Sequence, residues 1–202
     1  GYDIAFQVFD IMHSSDLGVL QYLEANVLLE LYKKIGGTAT RTLRGKRALH
    51  ALVTFIKLAS KQLHQERSPV NKLTFSMIAA DFGVTPPCLK TKAAETRRML
   101  PCLCWILSTL FPPTNAHTQL RFNACQAINS MYEALYRWKN DSADLASKAE
   151  VTVSGRRFLL LYSELNAEAR AKNDSVHWRK YPKFHQLDHI ITNQLSRHGN
   201  AM

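Results

Sequence analysis

A carboxylate and an imidazole stand three positions apart near the start of the chain, at Asp10 and His13. On a helical turn, side chains at this spacing point the same way, so both groups could act on one substrate atom. An Asp-x-x-His step at a strand-to-helix turn is typical of sites where phosphodiester chemistry is built. The alternative is structural, with Asp10 as a helix cap and His13 as a core residue.

The Asp-x-x-His step lies between two predicted elements. Alternating apolar residues favour a short strand over residues 3–9. Ser14 and Ser15 are candidate N-caps of a helix that reaches Lys34 and ends at two glycines. Asp16 suits the positive N-terminus of that helix. The Asp-x-x-His step is therefore expected at a strand-to-helix junction.

The rest of the chain predicts helices, from the spacing of apolar residues and the breakers between them. They cover 46–66, 88–111, 115–139, a stretch from the cap at 140–142 to 172, and 183–197. An interruption is expected near Ser154-Gly155, and residues 73–80 fit a short helix or a strand. The predicted fold class is mainly α, a multi-helix bundle with at most one or two short N-terminal strands.

Composition indicates a basic chain with enough apolar residues for a core. Lys and Arg number 26 against 16 Asp and Glu, and 46% of the residues are hydrophobic. Residues 1–35 carry two basic and five acidic side chains, whereas residues 36–72 carry eight and one. An acidic segment beside a basic one suits a metal site near an anionic polymer, although many basic proteins bind no nucleic acid. The four cysteines form no CxxC pair and predict reduced, mostly buried thiols in an intracellular protein.

Three groups of cations are candidate phosphate contacts. They lie in the loop before the second helix, at the start of the third, and before the last. Their members are Arg41, Arg44, Lys46 and Arg47; Lys90, Lys92, Arg97 and Arg98; and Arg179, Lys180 and Lys183. Trp178, Tyr181 and Phe184 interleave with the last group and could stack on bases. Alternatively, these cations form a solvated face and the aromatics point into the core.

Two histidines on the last helix, His185 and His189, share one face at i, i+4. The HExxH zinc motif has this spacing, but Gln186 stands where that motif has its glutamate. A helix-pairing surface with hydrogen-bonded histidines is the favoured interpretation, and a metal hydrolase built on this pair is the alternative.

The residues from Phe9 to Gly18 (Phe-Asp-Ile-Met-His-Ser-Ser-Asp-Leu-Gly) resemble a segment of eukaryotic cut-and-paste transposases. They are closest in style to the KDZ and CACTA groups, whose [Cys/Asp]-x-x-His signature follows the second catalytic aspartate. Residues 92–97 and 182–189 are similar to such proteins as well. The resemblance implies an RNase H-like core with an acidic triad and a large helical insertion before its final glutamate. Residues 1–13 would then be the edge of the nuclease core and residues 14–202 the helical insertion domain.

The resemblance also implies roles for the two site residues. His13 would position or polarise the scissile phosphate, and Asp10 would support the site as a metal ligand. Mg²⁺ is the implied cofactor of a parent protein, DNA the implied partner and the nucleus the implied location, and a homo-oligomer stays open. No membrane partner and no small-molecule cofactor are expected.

The chain alone is not expected to cleave DNA. Its sequence begins at Gly1, so we expect a segment of a longer protein or an incomplete reading frame. The two upstream aspartates and the final glutamate of the triad cannot be assigned within it, and two-metal catalysis needs several carboxylates. The alternative from another class is a nonenzymatic helical module that binds nucleic acid or a protein partner.

Overall fold

Helices build the part of the chain that the computed structural model describes, which is residues 12–36, 42–78, 85–141 and 143–194. A first π-helix (Met12–Val19) leads into α1 (Leu20–Lys34), and a second (Ile190–Gln194) follows the last α-helix. Between them lie α2 (Leu43–Gln62), α3 (Phe75–Ile78), α4 (Ala93–Thr109), α5 (Ala116–Asn140), α6 (Leu145–Ala171) and α7 (Pro182–His189). No strand occurs within these ranges. The mainly α fold class is confirmed, and the strand predicted over residues 3–9 lies outside the described residues.

Short polar side chains begin three of the helices. Oγ1 of Thr42 accepts from the backbone N–H of Gly45 at 3.2 Å. The side-chain oxygens of Asn115 and Asp144 each accept from the N–H three residues later, at 2.9 Å. These bonds satisfy N–H groups that have no acceptor inside the helix. The cap predicted for α6 at residues 140–142 is therefore wrong by two residues, because Asp144 makes the capping bond.

Two further boundary predictions are wrong, and tertiary contacts explain both. Residues 88–92 are not helical, because the backbone N–H of Leu89 donates to the carbonyl of Gln21 at 3.0 Å instead. The break expected near Gly155 does not occur, since α6 runs through it. A Cβ atom at Gly155 would lie 2.5 Å from Cδ1 of Ile191. The glycine therefore allows close packing and does not end the helix.

Helix α1 lies at the centre of the core. Its apolar side chains are buried on all sides, among them Leu20, Leu23 and Leu28 at 0% exposure. The first π-helix and α2, α3 and α4 pack around it. The long helices α5 and α6 follow each other after a short connection and pack along their lengths. No helix within the described ranges has the length and hydropathy needed to cross a bilayer.

Candidate nucleic-acid interface

A buried ion pair anchors the first π-helix to the helices behind it. The side chain of Asp16 is fully buried, and Nε of Arg97 on α4 donates to its Oδ2 at 3.1 Å. The hydroxyl of Tyr132 on α5 contacts the same carboxylate and also Oγ of Ser15 at 2.8 Å. All three groups are satisfied when Tyr132 donates to Asp16 and accepts from Ser15. Burial raises the pKa of Asp16, and the hydrogen bonds from Arg97 and Tyr132 oppose that shift.

This anchor fixes the segment that carries His13. Asp10 lies outside the described residues, and of His13 only the backbone, within the first π-helix, is described. The roles assigned to these two residues stay predictions. The cap predicted at Ser14 or Ser15 is wrong, because α1 begins after Val19 and has no side-chain cap. The carboxylate of Asp16 binds Arg97. The backbone bends at the next residue, Leu17 (φ −92°, ψ 15°), where the π-helix turns toward α1.

One side of the helix after this bend presents Gly18, Gln21 and Tyr22, which are three and four residues apart. Nε2 of Gln21 donates to the carbonyl of Thr91 at 2.9 Å. The rings of Tyr22 and Tyr181 stack with their centroids 4.0 Å apart and their planes 12° apart. We call the surface around these residues the tyrosine face. Segments from two distant parts of the sequence therefore meet along it.

Both segments bring cations to the tyrosine face. Lys90 and Lys92 flank Thr91, and both are exposed. From the other segment, the guanidinium of Arg179 lies 5.7 Å from the ring centroid of Tyr181, a cation–π distance. Lys180, the next residue, is exposed as well.

Lys183 reaches the same surface across Gly18. A Cβ atom at Gly18 would come within 2.9 Å of Cγ of Lys183, so the absence of a side chain there lets the lysine stem cross the helix. The second and third cation groups of the sequence thus come together. The other two members of the second group bind groups within the protein. Arg97 is held by Asp16, and the exposed Arg98 donates to the carbonyl of Ala94.

The first cation group lies at the other end of α1. The 15 residues of α1 span about 22 Å at the rise of an α-helix. Arg44 packs against Gly36, just past the end of α1, where an added Cβ would lie 3.0 Å from its guanidinium. Lys46 and Arg47 are exposed on α2, and Arg41 lies outside the described residues. This group is therefore separate from the tyrosine face.

Beside that group, α2 forms a groove of about 630 Å³ with the segment that leads into α3. Lys46, Lys57 and Lys72 line it, and Leu49 and Val53 are among its apolar residues. The described residues that line it include no carboxylate. The groove is thus a second cationic surface, and sequence patterns identified only its first lysine.

Of the three aromatic residues expected to stack on bases, two are buried and one lies at the surface. Trp178 and Phe184 are 2% and 4% exposed and belong to the core, as the structural alternative predicts. Only Tyr181 reaches the surface, where it stacks on Tyr22. The indole Nε1 of Trp178 donates to Oε1 of Glu30 at 2.8 Å.

Glu30 belongs to a polar network that sequence patterns missed. Nε2 of His117 lies 3.0 Å from Glu30, and its Nδ1 lies 2.7 Å from Glu168. Because carboxylates only accept, both ring nitrogens carry protons and the ring is an imidazolium. The hydrogen bond to Glu30 is the main cause that raises the pKa of His117. Arg121 also contacts Glu30, at 2.6 Å.

A second buried acid has no such partners. Both side-chain oxygens of Glu24 are buried without a hydrogen bond in the described part of the chain. Burial, and to a lesser degree the charge of Asp16, raises the pKa of Glu24 well above its usual value. Burial therefore favours the neutral form of this carboxyl group.

No metal site is formed by the residues that the structure describes. They contain no group of three or more His, Cys, Asp or Glu side chains placed to hold an ion. Asp10, the predicted Mg²⁺ ligand, lies outside the described residues, so its role stays a prediction. His185 and His189 share an exposed face with their Nε2 atoms 2.9 Å apart, as hydrogen-bonded histidines would.

Comparison with known proteins gives no relative. No family model, curated protein or solved structure matches the chain.

Proposed function

We propose that the chain is the helical domain of a transposase-like DNA strand transferase and binds DNA across the tyrosine face. The observation that carries the DNA-binding part is the meeting of Lys90 and Lys92 with Arg179 and Lys180 there, beside the segment that holds His13. Cations brought together from distant segments can follow a phosphate backbone, and their binding releases counterions.

The link to strand transfer is supported by the Asp-x-x-His step and by the run of helices that follows it in the described ranges. In the parent protein, Asp10 supports the active site as a metal ligand and His13 positions or polarises the scissile phosphate. Mg²⁺ is the metal of that proposal. The Asp16–Arg97 ion pair and its bond to Tyr132 would hold His13 at a fixed place relative to α4 and α5.

A salt titration of binding to duplex DNA tests the DNA-binding part. Each phosphate contact contributes about 0.9 to the slope of log affinity against log salt concentration. The triple variant Lys90→Ala, Lys92→Ala, Lys180→Ala should therefore lower that slope by about 2 to 3. Fluorescence anisotropy with a labelled duplex measures it.

A control variant removes the same charge elsewhere. Arg67, Lys139 and Lys172 are also exposed, and their replacement by alanine should leave the slope within error of the unaltered chain. Equal slopes for both triple variants would contradict a DNA surface at the tyrosine face and would indicate attraction by net charge alone.

Strand cleavage by the full-length parent tests the enzymatic part. His13→Ala should abolish Mg²⁺-dependent cleavage while DNA affinity is retained, and Asp10→Ala should do the same. If the unaltered full-length parent shows no Mg²⁺-dependent cleavage while DNA still binds the tyrosine face, the chain is a nonenzymatic nucleic-acid-binding module, which is the second candidate function. Normal cleavage by both variants would contradict the roles proposed for Asp10 and His13.

A further inference from the structure

The groove between α2 and the segment that leads into α3 carries charge that the described chain does not neutralise. Lys46 and Lys57 line it from α2, and Lys72 lines the opposite wall. All three lysines are exposed, and none of them forms an ion pair within the described ranges. Helix α2 has five cations and no carboxylate in its whole length. We call this surface the α2 groove, and its charge favours an anionic ligand.

Helix geometry places the two α2 lysines on one edge of the groove, toward its two ends. Eleven residues separate Lys46 from Lys57, which is about 16 Å of rise and about three full turns, so both side chains leave the helix on nearly the same side. Leu49 and Val53 lie between them along the axis and are rotated from that edge in the same direction, by about 60° and 20° from Lys46. Both also line the groove, and Val53 is 7% exposed. The α2 groove therefore has an apolar floor with a cation toward each end.

The opposite wall of the groove is also apolar with a lysine beside it. Leu73 is 5% exposed and follows the exposed Lys72 in the chain. The ring of Phe75 tilts against that of Tyr32 on α1, with the two centroids 5.9 Å apart. The groove has a volume of about 630 Å³, which lies within the range of about 300–1,000 Å³ that is typical of ligand clefts. It is thus large enough to take several apolar side chains of a ligand.

We propose that the α2 groove binds a short acidic peptide segment of a partner protein, with apolar residues at its centre and carboxylates toward both ends. The apolar side chains cover Leu49 and Val53, and the carboxylates contact Lys46, Lys57 and Lys72. An extended segment advances about 3.3 Å per residue, so about five residues cover the about 16 Å between the two α2 lysines. The α2 groove is separate from the tyrosine face, so this binding does not rest on the proposed DNA contact.

The arrangement of charge favours such a peptide over other anions. Each strand of a DNA duplex carries one phosphate per about 3.4 Å of helix axis, so it would place phosphates over the apolar floor between the lysines. The bases of a single strand would need an exposed aromatic face, whereas Tyr32 is 1% exposed and Phe75 is part-buried against it. A fatty acid has one carboxylate and cannot pair with lysines toward both ends. A peptide can place apolar groups and carboxylates in the required order.

Peptide binding to the full chain tests the proposal. The probe is the heptapeptide Glu-Asp-Leu-Leu-Phe-Asp-Glu with fluorescein at its N-terminus, and fluorescence anisotropy measures its dissociation constant. We expect a value in the micromolar range, because the contact is smaller than a standard protein interface. Replacement of its three apolar residues by serine keeps the charge and should weaken binding about ten-fold or more. The rearranged peptide Leu-Glu-Asp-Asp-Glu-Phe-Leu has the same composition and should also bind more weakly.

Charge reversal in the chain locates the binding site. The double variant Lys57→Glu, Lys72→Glu should bind the probe about ten-fold or more weakly, because carboxylates then face carboxylates. The double variant Lys139→Glu, Lys172→Glu is the matched control, since both residues are exposed and neither lines the groove. It should bind the probe within error of the unaltered chain, and so should the triple alanine variant of the tyrosine face. Circular dichroism verifies that each variant keeps its helix content.

Four results would overturn the proposal. The unaltered chain could fail to bind the probe at concentrations well above the micromolar range. The two double variants could lose affinity equally, which would indicate attraction by net charge alone. The serine peptide could bind as tightly as the probe, which would mean that the apolar floor is not used. Hexathymidylate or dodecanoate could displace the probe at lower concentration than the unlabelled peptide does, which would assign the groove to a nucleic acid or to a fatty acid.

Discussion

Replacement of Glu24 by leucine should stabilise the chain at neutral pH. The carboxyl is fully buried on α1, and neither oxygen has a hydrogen-bond partner within the described residues. A polar group buried in this way costs about 1–3 kcal/mol. Leucine fills a similar volume with apolar atoms and avoids that cost. We therefore expect a gain of about 1–3 kcal/mol in the free energy of unfolding, or a few degrees in Tm.

The gain should grow as the pH rises. Burial raises the pKa of Glu24 above the 4.5 of an unperturbed glutamate, so the folded chain keeps a proton that the unfolded chain releases. The stability from this proton is fully present below about pH 4.5 and is lost as pH rises toward the folded pKa. The loss is at most about 1.4 kcal/mol per pH unit. Leucine does not titrate, so the difference in the free energy of unfolding in favour of the variant should increase from pH 5 to pH 8.

Urea unfolding followed by circular dichroism at several pH values measures this difference. Glu24→Gln separates the two causes, because it keeps a buried polar group and removes the titration. Glu66→Gln is the matched control, since Glu66 is exposed and its change should have little effect at any pH. A leucine variant that is less stable at pH 8, or a difference that does not change with pH, would refute the reasoning. Either result would mean that the folded chain holds Glu24 ionised and well solvated or paired.

Three other perturbations test parts of the fold. Arg97→Met should lower the free energy of unfolding by about 2–4 kcal/mol, because it leaves the buried Asp16 carboxylate without its cation. Urea unfolding measures this loss, and Asp16→Asn in the same chain should recover part of it. The stabilisation from His117, whose pKa is raised, should be complete below its unperturbed pKa of 6.5 and be lost as pH rises through the folded pKa. Its imidazole titration by NMR should show the upward shift, and an unshifted titration would contradict the imidazolium assignment. Gly155→Ala should lower the free energy of unfolding by about 1–3 kcal/mol, since its methyl group would lie 2.5 Å from Ile191. Ile191→Ala in the same chain should relieve the strain. An unchanged Tm for Gly155→Ala would contradict the close packing of α6 on Ile191.

Sequence patterns predicted the helices well where buried apolar residues recur at helical spacing. The two glycines predicted the end of α1 at Lys34, and Asn115 marked the start of α5. The start of α1 was predicted at Ser14 or Ser15, whereas α1 begins at Leu20 after a π-helix. Patterns failed at Gly155, where a glycine serves packing between helices and does not break one. Periodicity describes one element at a time, so it cannot reveal which neighbour approaches an element closely.

The polar contacts of the site are mostly long-range, which explains why sequence patterns missed them. Asp16 and Arg97 are 81 residues apart, and His117 and Glu30 are 87 apart. No spacing rule links such positions. The cation groups were recognisable as clusters of like charge, but their meeting beside Tyr22 depends on how the segments 88–92 and 179–183 pack on α1.

Cross-linking from the tyrosine face to DNA tests the central claim most directly. A photoreactive group attached at Lys92→Cys or at Lys180→Cys should label one short DNA duplex, at nucleotides a few base pairs apart. The same group at Lys139→Cys should label the duplex weakly, as that position lies on another element. Labelling at both positions within one stretch of DNA is the predicted result. Labelling no stronger than at Lys139→Cys would contradict the proposal that these two segments form one DNA-binding surface.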